Sequence, residues 1–128
     1  MKIPDSTPIL IGAGQATWRE VDAGRTPVDA LYAAAAAAID DVGNARLTTA
    51  IDAVAMVRFI ADTTPGVGAL FPRNPGNALA KRLGISSASI FQGTIGGNTP
   101  QYLVNHFAGK LARGEHGVAR LIVFGKDV

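Results

Sequence analysis

The sequence predicts an α/β domain on a mostly parallel sheet, in the element order β-α-β-α-β-α-β. Three observations predict it. Short apolar runs of strand length alternate with longer amphipathic stretches. The amphipathic stretches open on Thr26-Pro27, Asn74-Pro75 and Thr99-Pro100 and close on Gly43, Gly84 and Gly114, which is the asymmetry of helix starts and stops. Strands separated by helices need crossovers, and these are right-handed and give parallel pairing. At 128 residues the chain reads as a single domain over 1–128, and a chain of this size buries roughly two-thirds of its unfolded surface.

Taken in order, Pro8-Ile9-Leu10-Ile11-Gly12-Ala13-Gly14 is an apolar run closed by glycine and is expected as a buried first strand. A polar connection follows to Arg25. Thr26 suits an N-cap, Pro27 the first helical position, and Asp29 the positive end of a helix running through the alanine block to about Val42. Ile51 to Ile60 is the second strand. Ala61 to Arg73 is a long loop, of which the part from Thr63 is long enough to be functional. Asn74-Pro75 opens a second helix with Leu79, Ala80 and Leu83 inward. Ala88 to Gln92 is the third strand, the third helix starts at Asn98 or Thr99-Pro100, and Ala119 to Phe124 is the fourth strand.

Composition excludes several functions. Hydrophobic residues make up 48% and charged residues 17%, which fits a globular chain and not a disordered one. So low a charge fraction points to surface buried against something else. The net charge of +2 comes from scattered Lys and Arg residues, so no nucleic-acid footprint is expected. The absence of cysteine excludes disulfides, thiolate metal sites and thiol catalysis within these residues. Met1 to Pro8 lacks a signal pattern, and no apolar run approaches the roughly 20 residues of a membrane span. A cytoplasmic protein with no membrane association is the expectation.

The third helix is unusually apolar. Leu103, Val104, Phe107, Ala108, Leu111 and Ala112 cover about half its circumference at about 100° per residue. One surface of a sheet-packed helix needs a stripe of only about 100°. Either this helix is covered on two sides, or it has one broad core face.

The segment from Ser89 to Leu103 holds the chemistry. It reads as strand, Gly-rich turn and helix start, which aims backbone N–H groups and a helix's positive end at one spot. The N–H groups of Gly96, Gly97 and Asn98 could bind an anion or a carbonyl oxygen; the alternative is a glycine turn that lets strand and helix approach closely. Gly93-Thr94-Ile95-Gly96-Gly97-Asn98 lacks the Gly-Lys-Ser/Thr of a phosphate loop and is no Gly-x-Ser-x-Gly elbow. Gly12-Ala13-Gly14 places Thr17 where a dinucleotide fingerprint needs its third glycine. An unrelated nucleotide-binding α/β domain is therefore the weakest reading. His106 and His116 have no partner at metal-site spacing, so no metal is expected and both read as hydrogen-bonded or surface residues. Asp40, Asp41 and Asp52 read as solvated, Met56 and Phe59 as core. Arg25, Arg58 and Arg73 read as surface residues that could reach an acidic ligand.

These residues carry a resemblance. Ile9 to Gly14, the alanine-rich helix from Thr26-Pro27 to Gly43, the segment Arg73-Asn74-Pro75-Gly76-Asn77-Ala78-Leu79-Ala80-Lys81-Arg82-Leu83-Gly84, and Gln92 to Leu103 together resemble the N-terminal half of the thiolase superfamily, nearest the sterol-carrier-type acetyl-CoA acetyltransferases. The family's nucleophile turn is usually Asn-x-x-Cys-Gly-Ser-Gly followed two residues later by Gln. Anchored on Gln101 and Leu103, that pattern puts Gly96 at the cysteine position; a one-residue shift puts Ile95 there. The resemblance thus implies a thiolase-like half-fold with no catalytic residue of its own. Gly96, Gly97 and Asn98 would be its ligand-binding residues, a coenzyme A thioester a possible ligand, and no cofactor is implied. The family's second half brings the histidine, the other cysteine, the coenzyme A loop domain and a fifth strand. Its third strand pairs across a dimer axis, which implies Ser89, Ile90 and Phe91 as interface residues. It sandwiches the helix after the turn, which matches the wide apolar surface above. The expected function is acyl-CoA or lipid metabolism, by binding or as a subunit. The alternative is a non-enzymatic module that pairs with itself or with a chain carrying the second half.

Overall fold

The computed structural model describes residues 2–20, 22–59, 65–66, 72–86, 88–115 and 119–124. Their order is α1 (Pro27–Val42), α2 (Leu47–Ala50), β1 (Ile51–Val57), α3 (Pro75–Arg82), β2 (Ser89–Gly93), α4 (Thr99–Ala112) and β3 (Ala119–Val123). The strands form a parallel sheet in the order β2-β1-β3, so the expected mostly parallel α/β class holds. The loop segments 60–64 and 67–71, and His116, lie outside the described residues.

β1 is central, and its sequence explains why. Ile51-Asp52-Ala53-Val54-Ala55-Met56-Val57 is nearly continuous in apolar character, as a strand covered on both faces must be. Val54 and Met56 pack with Leu31, Ala35, Leu79 and Ala80 of α1 and α3 on one face. Ala53, Ala55 and Val57 pack with Leu103 and Phe107 of α4 on the other. Two small alanines there leave room for the large α4 side chains. The register slips between Ile51 and Ala53, and that irregularity turns Ile51 onto the α1 face. Asp52 sits at this slip half-buried, not solvated as its polarity suggests.

The helix ends follow local rules. Thr26 N–H donates to Asp29 Oδ2 at 2.7 Å and the Thr26 hydroxyl to the same oxygen at 3.0 Å, so the carboxylate caps the start of α1. Asn74 Oδ1 accepts from Asn77 N–H at 3.0 Å to cap α3. Gly43, Gly84 and Gly114 have φ of 68°, 73° and 68°, a left-handed conformation that favours glycine. Arg82 ties α3 to α1 through Asp29 at 2.7 Å and lies over the Tyr32 ring at 4.3 Å.

The Thr26 backbone N–H, and after it the Arg82 guanidinium, hold the Asp29 carboxyl below the usual carboxylate range. A lowered folded-state pKa stabilises the fold above the ordinary aspartate pKa of about 3.9, and that contribution is lost as pH falls through the folded value. Asp29→Asn is therefore expected to lower the thermal midpoint at neutral pH, with the gap to the parent closing below about pH 4. Equal gaps at pH 7 and pH 3 would contradict this.

One expected element is absent. Residues 8–14 form no strand. Ile9, Leu10 and Ile11 are 75%, 88% and 50% exposed. Apolar character and length named a strand but not its partner. The place beside β1 is taken by β3, and the segment lies on α1 instead. A Cβ on Gly12 would meet Ala38 O and Val42 Cγ2, both at 2.6 Å, and one on Gly14 would meet Ala38 N and Ala34 O. The glycines thus permit close approach to the alanine face of α1, and Ala13 N–H donates to Asp41 Oδ2 at 3.0 Å.

Candidate functional site

The turn 94–98 joins the carboxyl end of β2 to the start of α4. β1 feeds α3 on one face of the sheet, and β2 feeds α4 on the other. Neighbouring strands whose connections leave on opposite faces open a crevice at their carboxyl ends, the usual ligand position in parallel α/β sheets. Arg58, just past β1, lies across this crevice; its backbone N–H donates to Gly93 O at 3.3 Å.

The turn is held from within. Thr99 N–H donates to Gly96 O at 3.1 Å and Tyr102 N–H to Asn98 O at 3.1 Å. Pro100 contributes no N–H. No protein acceptor meets the N–H groups of Gly96, Gly97 or Asn98 among the described residues. Thr99 is buried, the one polar side chain in the core of the described residues. The sequence marks it only as a helix start; its hydroxyl is part of the turn's packing. Asn98 does not cap α4 with its side chain.

The glycines of the turn differ from one another. A Cβ on Gly96 would lie 3.0 Å from Asn98 Oδ1 and 3.2 Å from Thr99 Oγ1, whereas one on Gly97 would meet nothing within 4 Å. Neither residue has a positive φ. Close strand–helix approach is instead a property of Gly93, whose Cβ would sit 2.9 Å from Thr99 Cγ2. Neither the backbone nor the packing therefore demands glycine at 97. Gly97→Ala should raise stability by about 0.4–1 kcal/mol through the unfolded state, readable by thermal unfolding; destabilisation would show that the turn itself needs glycine there.

The other candidate residues separate. Ser89, Ile90 and Phe91 lie on β2, which among the described residues pairs with β1 alone and forms an edge of the sheet. Phe91 stacks on His106 with centroids 5.4 Å apart, and Tyr102 stacks on His106 at 5.8 Å. His106 is thus half-buried within an aromatic ladder that ends in exposed Tyr102. Arg25 lies over the Trp18 ring at 4.4 Å and pairs with Asp22 at 3.4 Å, away from the crevice elements. Met56 and Phe59 are core. Among the described residues there is no group of three or more His, Asp or Glu able to hold a metal, and no helix long and apolar enough to cross a membrane.

No protein-family model matches the chain, and no curated protein sequence matches it. A solved structure does. It is a monomeric SCP2-thiolase-like protein type 1 from Mycobacterium smegmatis, similar at a TM-score of 0.75 and 32% identity over 95% of this chain and 24% of that one. The chain therefore spans about a quarter of that protein's length.

Proposed function

Because this chain has a thiolase-like fold, we propose that it binds a coenzyme A thioester through the turn at Gly96, Gly97 and Asn98 and takes part in acyl-CoA metabolism without forming an acyl-enzyme. The observation that carries this reading is Gly97. Nothing in the backbone or packing requires glycine there, yet a side chain would screen the neighbouring N–H groups from a carbonyl oxygen or phosphate. Cysteine is absent from these residues, so a thiolate nucleophile of the family type has no source within them.

Calorimetric titration with acetyl-CoA and acetoacetyl-CoA tests the reading. Saturable heat is expected, reduced in Gly97→Ala although that variant stays folded. No heat and no competition at millimolar ligand would end the binding claim.

A second reading rests on a different observation. Among the described residues β2 has an open edge, and beside it Tyr102 of α4, joined to Phe91 through the His106 ring, is an exposed apolar residue. These suit a module that pairs with a second copy through Ser89, Ile90 and Phe91, or with a chain supplying the remaining thiolase half. Light scattering separates the two: a stable monomer without an exposed apolar patch contradicts the module.

A further inference from the structure

Thr99 is 4% exposed, and among the described residues its hydroxyl has no hydrogen-bond partner. A buried hydroxyl without a partner is rare in folded proteins, and a bound water or ligand is the usual reason for one. Its direction is fixed by its surroundings. The Thr99 methyl lies on the sheet side, 2.9 Å from where a Gly93 Cβ would be. The hydroxyl oxygen lies 3.2 Å from where a Gly96 Cβ would be. The hydroxyl is therefore turned into the mouth of α4, toward the side of Gly96 that carries no side chain.

Asn98 borders the same space. Its Oδ1 lies 3.0 Å from where a Gly96 Cβ would be. Its side chain neither caps α4 nor is hydrogen-bonded to another described residue. The glycine thus leaves a small space at the helix mouth with two side-chain oxygens on its border. Asn98 Oδ1 only accepts hydrogen bonds, while the Thr99 hydroxyl can donate or accept. A group that satisfies both must donate one hydrogen bond and accept another. An alcohol does this; a ketone oxygen cannot donate, and a methylene does neither. A thioester carbonyl on the N–H groups of Gly96, Gly97 and Asn98 would bring its acyl chain past this space. An oxygen on the third acyl carbon can lie on the same side as the carbonyl oxygen, closing a six-membered arrangement.

We propose that the turn selects 3-hydroxyacyl thioesters, with the substrate hydroxyl seated beside Gly96, donating to Asn98 Oδ1 and accepting from the Thr99 hydroxyl. This selectivity rests on the thioester-binding reading of the turn and deepens it. Gly96 is glycine because a side chain would occupy the seat, and Thr99 is the residue that distinguishes a hydroxyl from a methylene.

The test is calorimetric titration with 3-hydroxybutyryl-CoA, acetoacetyl-CoA and butyryl-CoA, which share a chain length and differ only at the third carbon. The hydroxy ligand should bind at least about tenfold more tightly than either of the others, because a site built to bond a hydroxyl discriminates strongly against analogues that lack it. Thr99→Val keeps the side chain's shape and removes the hydroxyl; it should bring the three affinities together, and Thr99→Ser should restore the preference. Equal affinities in the parent, or a preference that survives Thr99→Val, would overturn the proposal while leaving the thioester-binding reading in place. No binding of any of the three would end that reading and the proposal with it. A second measurement needs no ligand. Since no described residue partners the hydroxyl, Thr99→Val should unfold at the same temperature as the parent or higher; a clear fall would reveal a partner within the protein and contradict the proposal.

Discussion

Leu103→Ala is expected to remove about 2–5 kcal/mol of stability and to loosen the turn ahead of α4. Leu103 is fully buried between α4 and the alanines of β1. Truncation leaves a cavity against Ala53 and Ala55, which are too small to fill it. The same side chain supports the site, because Leu103 Cδ2 lies 3.5 Å from where a Gly93 Cβ would be, at the strand end that enters the turn. Urea unfolding measures the first effect. Amide exchange at 96–99 measures the second, and it should rise beyond what the global loss alone explains.

Leu79→Ala is expected to cost a similar amount, about 2–5 kcal/mol, with a different local signature. Leu79 is fully buried on the opposite face, among Leu31, Val54 and Met56. It holds α3 and α1 to the sheet and has no place in the α4 layer. Its loss should leave exchange at 96–99 changed only in step with global stability. Domains are stable by about 5–15 kcal/mol in all, so either variant removes a large part of the margin. If both variants loosened the turn equally, Leu103 would have no special relation to the site.

The contrast between what could and could not be read in the chain follows from range. Pro27, Pro75, Asn74 and the three terminal glycines act within one helical turn, so they mark helix ends wherever the helix packs. β1 was legible because burial on both faces leaves a continuous apolar run. Ile9-Leu10-Ile11 gave an equally good apolar signal, but pairing partners are non-local. The glycines that seemed to close a strand instead allow close approach to α1. α2 is a single turn, Leu47–Ala50, too short for periodicity; the signal that could have found it is Asn44, whose Oδ1 accepts from Arg46 N–H at 2.9 Å.

The site was half legible. The strand–turn–helix at 89–103 stands where the spacing placed it. The roles of its glycines did not follow from their identity: Gly93 serves close packing, Gly96 is crowded by Asn98 and Thr99, and Gly97 stands in open space. What surrounds each residue, and not its identity, separates those three cases. The wide apolar surface of α4 also resolves in part. Leu103 and Phe107 pack on the sheet, while Ala108, Leu111 and the exposed Val104 line a groove along Leu121 and Ile122 of β3.

The most direct measurement is an amide chemical-shift titration of the labelled protein with acetyl-CoA. Binding at the helix mouth predicts saturable shifts confined to Gly96, Gly97, Asn98 and their neighbours across the crevice, including Arg58, and predicts that Gly97→Ala weakens them. Shifts centred elsewhere, or none at millimolar ligand, would contradict the account.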